Sequence, residues 1–462
     1  MFSLNIIDGG LLILLSFAFA ALLGLSIIKL LLKNNTARST KFICSAVSII
    51  TIIAALFALR YTGSFNSFLD NITDQSAETK EYSVLVLKNH SATKIADLKN
   101  QTIGFLKNDP DSEKAIAQLK NTIDYRADLS DSIDDLTAAL TSATIPAIAL
   151  ETSRYNALVD DEFPVAKITK IIYRFEITLN SVIVDQAEVD PIAQPFTVYI
   201  SGIDSRTGLQ SVALSDVNIL AIFNPKDHKI LLVSIPRDTY VQLHGTTGLK
   251  DKLTHAGIYG ISMSKSTVED FLDIKIDHTA KVSFETVIKV VNQLNGIEIN
   301  SDQAMSLKTG EGSSDKNRIC TYIVGIQQVD GDCALRFARE RKSYATGDRH
   351  RGENQQQVLA SIINKLAADK SYLLKLPEIL DIVASSFETS FSRDEISNLI
   401  RYQLSNNQAW QIESISIDGS GSMQPTYSMG ANTPLYVMLP YPESISVAQE
   451  KIKSYLFTPV DN

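Results

Sequence analysis

The sequence predicts an α/β protein carried on two N-terminal membrane-spanning helices, with a small α/β domain followed by a larger one. Three observations give this class. Two long apolar runs stand near the N-terminus, and beyond them short strand-like runs alternate with helix-like ones. In addition, 45% of the 462 residues are apolar, at a mean hydropathy of +0.03 that is high for a chain without membrane segments. A chain of this length has room for about two or three domains with sizeable cores. The formal charge of −9 and pI of about 5.3 argue against a broad nucleic-acid-binding face, so any grip on phosphate must be local.

Gly9 to Ile28 is 20 residues without a charge, and Ile43 to Leu59 adds 17 more; both lengths suit a helix crossing the hydrocarbon layer. No basic segment precedes the first run and a second run follows it, which argues against a cleaved leader. Lys29, Lys33, Arg38 and Lys41 lie between the runs with no acid among them. The positive-inside rule therefore places that loop in the cytoplasm and both ends outside. Residues 1–61 are thus assigned to two spans, about 9–32 and 43–59, and 62–80 to a linker. The expected location is the cell membrane, multi-pass, with both soluble domains extracytoplasmic and out of reach of cytosolic nucleotides.

An accessory α/β domain is expected over 81–185, with strands at Tyr82–Lys88, Thr102–Leu106, Ile123–Arg126 and Ile145–Leu150 and helices at Asp111–Lys120 and Asp131–Ser142. The alternation predicts a small parallel unit. Its segment IADLKNQTIGF resembles the opening of a solute-binding-protein lobe. It carries no clustered His, Cys or carboxylate set, so an accessory or docking module is the simpler reading. It ends near Ile183, before the acidic, Pro-containing linker DQAEVDPIAQP.

The domain over 191–462 is organised around Phe196–Tyr240. This stretch reads as a strand, Phe196–Ile203, a polar loop, and two apolar strands, Val217–Phe223 and Lys229–Ile235, joined by the turn residues Asn224, Pro225, Lys226 and Asp227. A turn centred near Lys226 and Asp227 sets opposite one another residues whose numbers sum to about 453, so Asp216 faces Arg237. Asp204 closes the first strand, and sequential strands usually neighbour one another. Each of these residues alone is most simply a strand end or a surface ion-pair partner. Together, two acids beside a guanidinium suit a divalent cation bridging to a phosphate.

Further along, His255 reads first as a hydrogen-bonded structural histidine and second as a base or phosphate contact. Val287, Val290, Val291 and Leu294 fall at helical spacing. Ala334–Glu340 reads as a short helix carrying Arg336 and Arg339, with Arg341 just past its end. A second helix is expected from about Glu353, with Val358, Leu359, Ile362, Ile363 and Leu366 as its apolar stripe and Gln355 at the buried end, in need of a polar partner. Arg339, Arg341, Arg349 and Arg351 lie within 13 positions, where they repel one another unless an anion or carboxylates hold them. Cys44 sits in an apolar run and reads as inert packing. Cys320 and Cys333 are 13 positions apart; an extracytoplasmic location permits a disulfide, but spacing alone leaves the pairing open. Beyond Ala368, helices fit near Tyr372–Ser385 and Arg393–Leu404, strands near Ile412–Ile417 and Leu435–Leu439, and a last helix from Ser444.

The ordered set GIDSR at Gly202, SDVNIL at Ser215, PRDTY at Pro236, KLTHAGIYG at Lys252, ALRFARER at Ala334 and GDRHRGENQQQ at Gly347 resembles the LytR-CpsA-Psr (LCP) family, and within it the streptococcal capsule-biosynthesis, CpsA-like members. The likeness covers 196–368. It implies an LCP catalytic domain with a central mixed sheet flanked by helices, working as a phosphotransferase on the outer face of the cell membrane. Such an enzyme moves the sugar-phosphate end of a capsular polysaccharide or related glycopolymer from undecaprenyl pyrophosphate to a peptidoglycan hydroxyl and releases undecaprenyl phosphate. By position, Asp204 and Asp216 match the family's metal-binding acids, for Mg2+ or Mn2+. Arg237, Arg339 and Arg341 match its pyrophosphate arginines and complete the catalytic set; Arg351 and Gln355 match further head-group contacts. Other capsule-assembly proteins are implied partners, and nucleic acid is not.

There are departures from the pattern. Leu214 stands where relatives often carry an arginine, which puts in doubt how fully the pyrophosphate is neutralised, and Asn295-Gly296 replaces a usual Gly-Gly. The general base for the acceptor hydroxyl is open between Asp204 and Asp238. The apolar runs around Ile274–Leu294 and the helix from Val358 are either core or a slot for the polyprenyl chain. Two other functions compete. A regulator of the capsule operon would have to read DNA through a short cytoplasmic loop, whereas single DNA-binding modules bury about 600–1,000 Å². A polyprenyl pyrophosphatase would use water as the acceptor.

Overall fold

The apolar, β-branched runs at Ser215–Asn224 and Lys229–Ser234 become central strands because both of their faces are covered, and the turn between them is polar. The computed structural model describes residues 79–179 and 190–457, except 108, 161–162, 204–211, 311, 345–346, 407 and most of 369–385, together with scattered positions between 21 and 53. Most of the first expected span and of the 62–80 linker, about half of the second span, and nearly all of the helix expected at Tyr372–Ser385 lie outside the described residues. Among the described residues no helix is long and apolar enough to cross a membrane.

The accessory domain runs β1 (Thr79–Leu87), β2 (Thr102–Leu106), α1 (Ser112–Lys120), β3 (Arg126–Ser130), α2 (Ile133–Thr141), β4 (Ala147–Glu151), α3 (Thr152–Asp160), α4 (Pro164–Ile168) and β5 (Thr169–Thr178). The strands form one sheet in the order β3-β2-β4-β1-β5. The wholly parallel sheet expected from the alternation is corrected to a mixed one: β2 is parallel to β3 and β4, but β1 is antiparallel to both β4 and β5. Helical crossovers enforce parallel pairing only among the strands they join, and β1 reaches β2 through a single 3-10 turn, Ile95–Leu98. The strand expected at Ile123–Arg126 begins only at Arg126, because β3 is an exposed edge strand whose residues RADLS carry almost no apolar signal.

This small domain buries charge. Lys80 and Tyr82, both inward on β1, donate to Asp111 at 2.8 Å and Asp109 at 2.6 Å. Glu151, paired in register with Tyr82, is 1% exposed. Burial pushes its carboxyl up to about 7, against the pull of the Lys80 and Arg154 charges.

The second domain begins with β6 (Phe196–Ile203), β7 (Ser215–Asn224) and β8 (Lys229–Ser234), then β9 (Tyr240–Val241), β10 (Asp251–Lys252), α5 (Leu253–Ala256) and α6 (Ile261–Leu272). Next come β11 (His278–Ser283), α7 (Phe284–Gln293), β12 (Ile297–Ser301), β13 (Met305–Lys308), β14 (Ile319–Tyr322), β15 (Gly325–Val329), α8 (Gly331–Ala338) and α9 (Asp348–Ala368). It ends with β16 (Phe387–Thr389), α10 (Arg393–Ser405), β17 (Gln411–Ser416), β18 (Gly419–Thr426), β19 (Gly430–Pro440) and α11 (Pro442–Leu456).

The central sheet has the order β16-β11-β6-β7-β8-β17 and is mixed, with β11 parallel to β6, β17 parallel to β8, and β7 antiparallel to both its neighbours. The hairpin register is Ile219↔Ser234 and Leu220↔Val233, the pairing the turn residues predict; Asn224 Oδ1 accepts the Asp227 N–H at 3.1 Å to close it. Alternate side chains go to opposite faces. Leu220, Ile222, Leu231 and Val233 pack under α6 and α11, while Ile219, Ala221, Ile230 and Leu232 pack under α9 and α10.

The helix expected from Glu353 starts at Asp348. It is also packed on two sides: Val358 and Ile362 join the α7 residues Val287, Val290 and Val291, and Leu359 and Ile363 face the sheet. The buried amides that head these stripes are Asn354, donating to Phe337 O at 3.1 Å, and Gln356, donating to Leu232 O at 2.9 Å and Ile415 O at 2.7 Å. Gln355, the expected buried glutamine, is only half-buried, and Leu366 is exposed. Val291, Leu294 and Val358 are packed in the domain core. Cys320 and Cys333 form a disulfide tying β14 to α8. At the departure from Gly-Gly, Asn295 holds φ +55 and Gly296 φ +84, with a Cβ on Gly296 placed 2.7 Å from Val329 O. Asparagine tolerates the left-handed region, whereas the second position needs glycine for both conformation and space.

The folded protein binds a proton on Glu151 that the unfolded chain releases above its ordinary value of 4.5. This contribution to stability is therefore complete below pH 4.5 and is lost as pH rises through about 7. Urea unfolding across that window should show stability falling by about 3 kcal/mol from this group, and Glu151→Gln should flatten the slope.

Candidate active site

The carboxyl ends of β6, β8 and β11 lie along one edge of the central sheet, with the start of β7 between β6 and β8. Asp216 falls at the register shift between Gly202↔Val217 and Ile203↔Ser215, where β7 carries an extra residue against β6. Asp216 is the second residue of β7, and Arg237 follows β8 by three positions. Arg237 Nη1 donates to Asp216 Oδ1 at 2.6 Å, with both side chains less than one-fifth exposed. Arg237 is also fixed through its backbone: its carbonyl accepts the Thr254 N–H at 2.9 Å, and Thr239 folds back on Pro236 O.

Asp204 lies outside the described residues. Its predecessor Ile203 pairs with Ser215 on one side and Ser283 on the other, so β6 delivers the chain to the same edge. Ser283 leads directly into Phe284, and the Arg339 guanidinium lies 4.2 Å over the Phe284 ring. β11 and β7 flank β6, so the backbones of Ser283 and Ser215 lie roughly 10 Å apart across Ile203. Arg339 is the C-cap of α8. Arg341 follows two residues later and is exposed. The first turn of α9 reaches the same edge because Gly352 packs on Ser234 at the end of β8, where a Cβ would lie 2.6 Å from Ser234 Oγ; Arg351 is its neighbour. Gln355 sits one turn further along α9. Arg349 is taken up by carboxylates, Glu353 at 3.5 Å and Asp418 at 2.6 Å, the latter just past the carboxyl end of β17.

Several residues that sequence reasoning passed over hold this arrangement. Glu340, between the two arginines, is buried, takes Arg336 of the preceding turn, and accepts the Ser343 N–H at 2.7 Å. Burial raises its carboxyl, but the Ser343 donors and the Arg336 charge outweigh burial and hold it low. The i,i+4 spacing of Arg336 and Glu340 was the available signal. Beneath Asp216, Ser215 Oγ meets Ser201 Oγ at 2.7 Å and Asn218 Oδ1 at 2.9 Å, and the Tyr199 hydroxyl donates to Asn218 Oδ1. Asp238, one of the two candidate bases, is buried and engaged by Lys252 at 3.4 Å, which makes it a clamp on the Arg237 turn.

His255 is structural. It is 1% exposed, and its Nδ1 lies 2.6 Å from Asp251 Oδ1. Asp251 Oδ2 takes both the N–H and hydroxyl of Ser428. Burial pushes the Asp251 carboxyl up, but the His255 ring and the Ser428 donors outweigh burial and hold it below the usual carboxylate range. Asp251→Ala should therefore cost about 3 kcal/mol in chemical denaturation, and the contribution from Asp251 should be present near neutrality and fade as pH falls.

A family model described as the LytR_cpsA_psr family matches residues 173–439, from within β5 to the end of β19. A Halalkalibacterium halodurans protein named polyisoprenyl-teichoic acid–peptidoglycan teichoic acid transferase TagU is 32% identical over 266 residues, 57% of this chain and 79% of that relative. The Enterococcus faecalis protein of the same name is 32% identical over 234 residues, 50% of this chain and 72% of the relative. Among solved structures, Bacillus subtilis TagV has 28% identity and a TM-score of 0.46, covering 58% of this chain and 99% of that one. With more than half its length matched by the family model, and with relatives at this identity covered over most of their own length, the chain belongs to the LytR-CpsA-Psr family.

Proposed function

We propose that this protein is a membrane-anchored phosphotransferase that moves a glycopolymer from a polyisoprenyl pyrophosphate carrier to peptidoglycan. The observation that carries the reading is the Asp216–Arg237 pair on the same sheet edge as Arg339, in a chain of this family whose relatives are named as polyisoprenyl-linked teichoic acid transferases. The polymer is a capsular polysaccharide or a related phosphate-linked glycan. The two apolar runs at Gly9–Ile28 and Ile43–Leu59 hold the catalytic domain on the outer membrane face, where carrier and wall meet.

Phosphoryl transfer needs charge neutralisation and alignment more than a covalent nucleophile. In the proposed step, a peptidoglycan hydroxyl oxygen attacks the phosphorus that bears the sugar. The bond from that phosphorus to the bridging oxygen breaks, and undecaprenyl phosphate leaves with the bridging oxygen. Arg237, held by Asp216, and Arg339, stacked on Phe284, neutralise phosphate oxygens; Arg341 and Arg351 extend the same cationic edge, and Gln355 offers a neutral head-group contact. The hydroxyl proton passes to a carboxylate, for which Asp204 is the candidate.

Asp216 and Asp204 are the residues that would hold Mg2+ or Mn2+. Among the described residues no group of three His, Cys, Asp or Glu is placed to bind an ion. Asp216 is partly open and engages Arg237 through one oxygen, which fits the mode in which one or two carboxylates share the ion with substrate phosphates. When bound, such an ion supplies further neutralisation of the pyrophosphate.

Asp216→Ala and Arg237→Ala should each reduce polymer attachment to peptidoglycan at least about a hundredfold, with thermal unfolding close to wild type; normal attachment in both variants would remove the proposal. Calorimetric titration of Mg2+ into the chain loaded with polyprenyl pyrophosphate should show binding that Asp216→Ala loses. Release of free sugar phosphate at an equal rate without peptidoglycan would point to water as the acceptor.

A further inference from the structure

The accessory domain and the site meet at one short segment, the residues that enter β7. Val212 is buried and held on both sides of its peptide by the accessory domain. Its N–H donates to Thr79 O at 3.0 Å, and its carbonyl accepts the Ser153 hydroxyl at 2.6 Å. Two residues on, Leu214 packs into a core cluster that both domains build: Leu85, Leu106 and Leu158 come from the accessory side, and Ile258 and Met429 from the other. Opposite, the turn at Gly257 presses on the same segment, since a Cβ there would lie 2.4 Å from Ala213 O and 2.7 Å from Ser215 N. Ser215 then enters the Ser201–Asn218 network, and Asp216 takes Arg237. The segment is thus gripped along its length, and half of the grip comes from outside the catalytic domain.

We propose that the accessory domain is a positioning element of the active site, acting through Ser153 and Leu214 on the backbone that sets Asp216 and, through it, Arg237. This rests on the transferase reading above. It gives Leu214 a role as an apolar anchor in the inter-domain core. It also gives the second domain a dependence on the first that its own fold does not require. A misplacement of even about 1 Å in a group that orients phosphate is enough to slow transfer severely, so a hydrogen bond outside the site can matter to the rate.

The test uses the full chain in detergent micelles or liposomes, with a polyprenyl-pyrophosphate-linked saccharide as donor and peptidoglycan fragments as acceptor. Ser153→Ala should lower kcat about tenfold while the KM for the donor changes less than about twofold. Its melting temperature should stay near wild type, and Ser153→Thr, which keeps the hydroxyl, should restore kcat. In parallel, deuterium uptake of the peptide spanning Val212 to Asp216 should accelerate in Ser153→Ala and not in Ser153→Thr. An unchanged kcat in Ser153→Ala, or a fall that only tracks a loss of folded protein, would overturn the proposal. Should the wild-type chain transfer nothing, the transferase reading fails, and the exchange measurement decides the inference alone: unchanged uptake sinks it.

Discussion

The pair between Asp216 and Arg237 is the contact the rest of this structure serves. A guanidinium at a sheet edge has many rotamers and a strong preference for water; ordering it against a carboxylate at 2.6 Å requires that the carboxylate be immobile. Solvent-exposed pairs of this kind contribute little because both partners wander. Here neither does. The hairpin register sets the two strand ends side by side, and the Ser201–Ser215–Asn218–Tyr199 network fixes the strand from beneath. On the arginine side, the turn from Pro236 to Thr239, clamped by Thr254 and by Asp238 with Lys252, fixes the backbone. The cation is held against its carboxylate and largely out of bulk water.

The other cations reach the same edge by the same logic of short, close packing. Arg339 is delivered by α8, whose first residue, Gly331, sits so close to α7 that a Cβ would meet Ile288 O at 2.3 Å. Gly352 lets α9 touch the end of β8. Glu340 is turned inward to Arg336 and Ser343, while Arg339 stacks on Phe284 and Arg341 is exposed.

The domain boundary is unusual in being a continuous core. Ile258, Met429 and Leu435 lie in the same cluster as Leu85, Leu106 and Leu158, and Arg154 crosses the boundary to donate to Ser428 O at 2.6 Å. Ser428 in turn binds Asp251, which orders His255 and the start of α5. A polar chain and an apolar cluster thus span the same boundary, and an interface of that composition behaves more as an interior than as a transient contact.

Turn residues and alternation determined much of this from the sequence alone. Asn224 to Asp227 with apolar runs on either side set the hairpin and its register, because hydrogen-bonding in a tight antiparallel turn leaves one pairing; that placed Asp216 opposite Arg237. Six ordered motifs determined the family. Other features had no local signal. The strand β3 is polar because it is an edge, and the reversed direction of β1 is invisible to a pattern of alternating elements. Gln356 rather than Gln355 carries the buried hydrogen bonds because α9 is packed from two sides, and one apolar stripe does not reveal a second. Whether Cys320 meets Cys333, whether Phe284 lies under Arg339, and whether Ser153 reaches Val212 depend on contacts between segments far apart in the chain. Such contacts follow from which helix crosses which sheet, a choice made by the summed burial of the whole interior, and only the tertiary structure decides it.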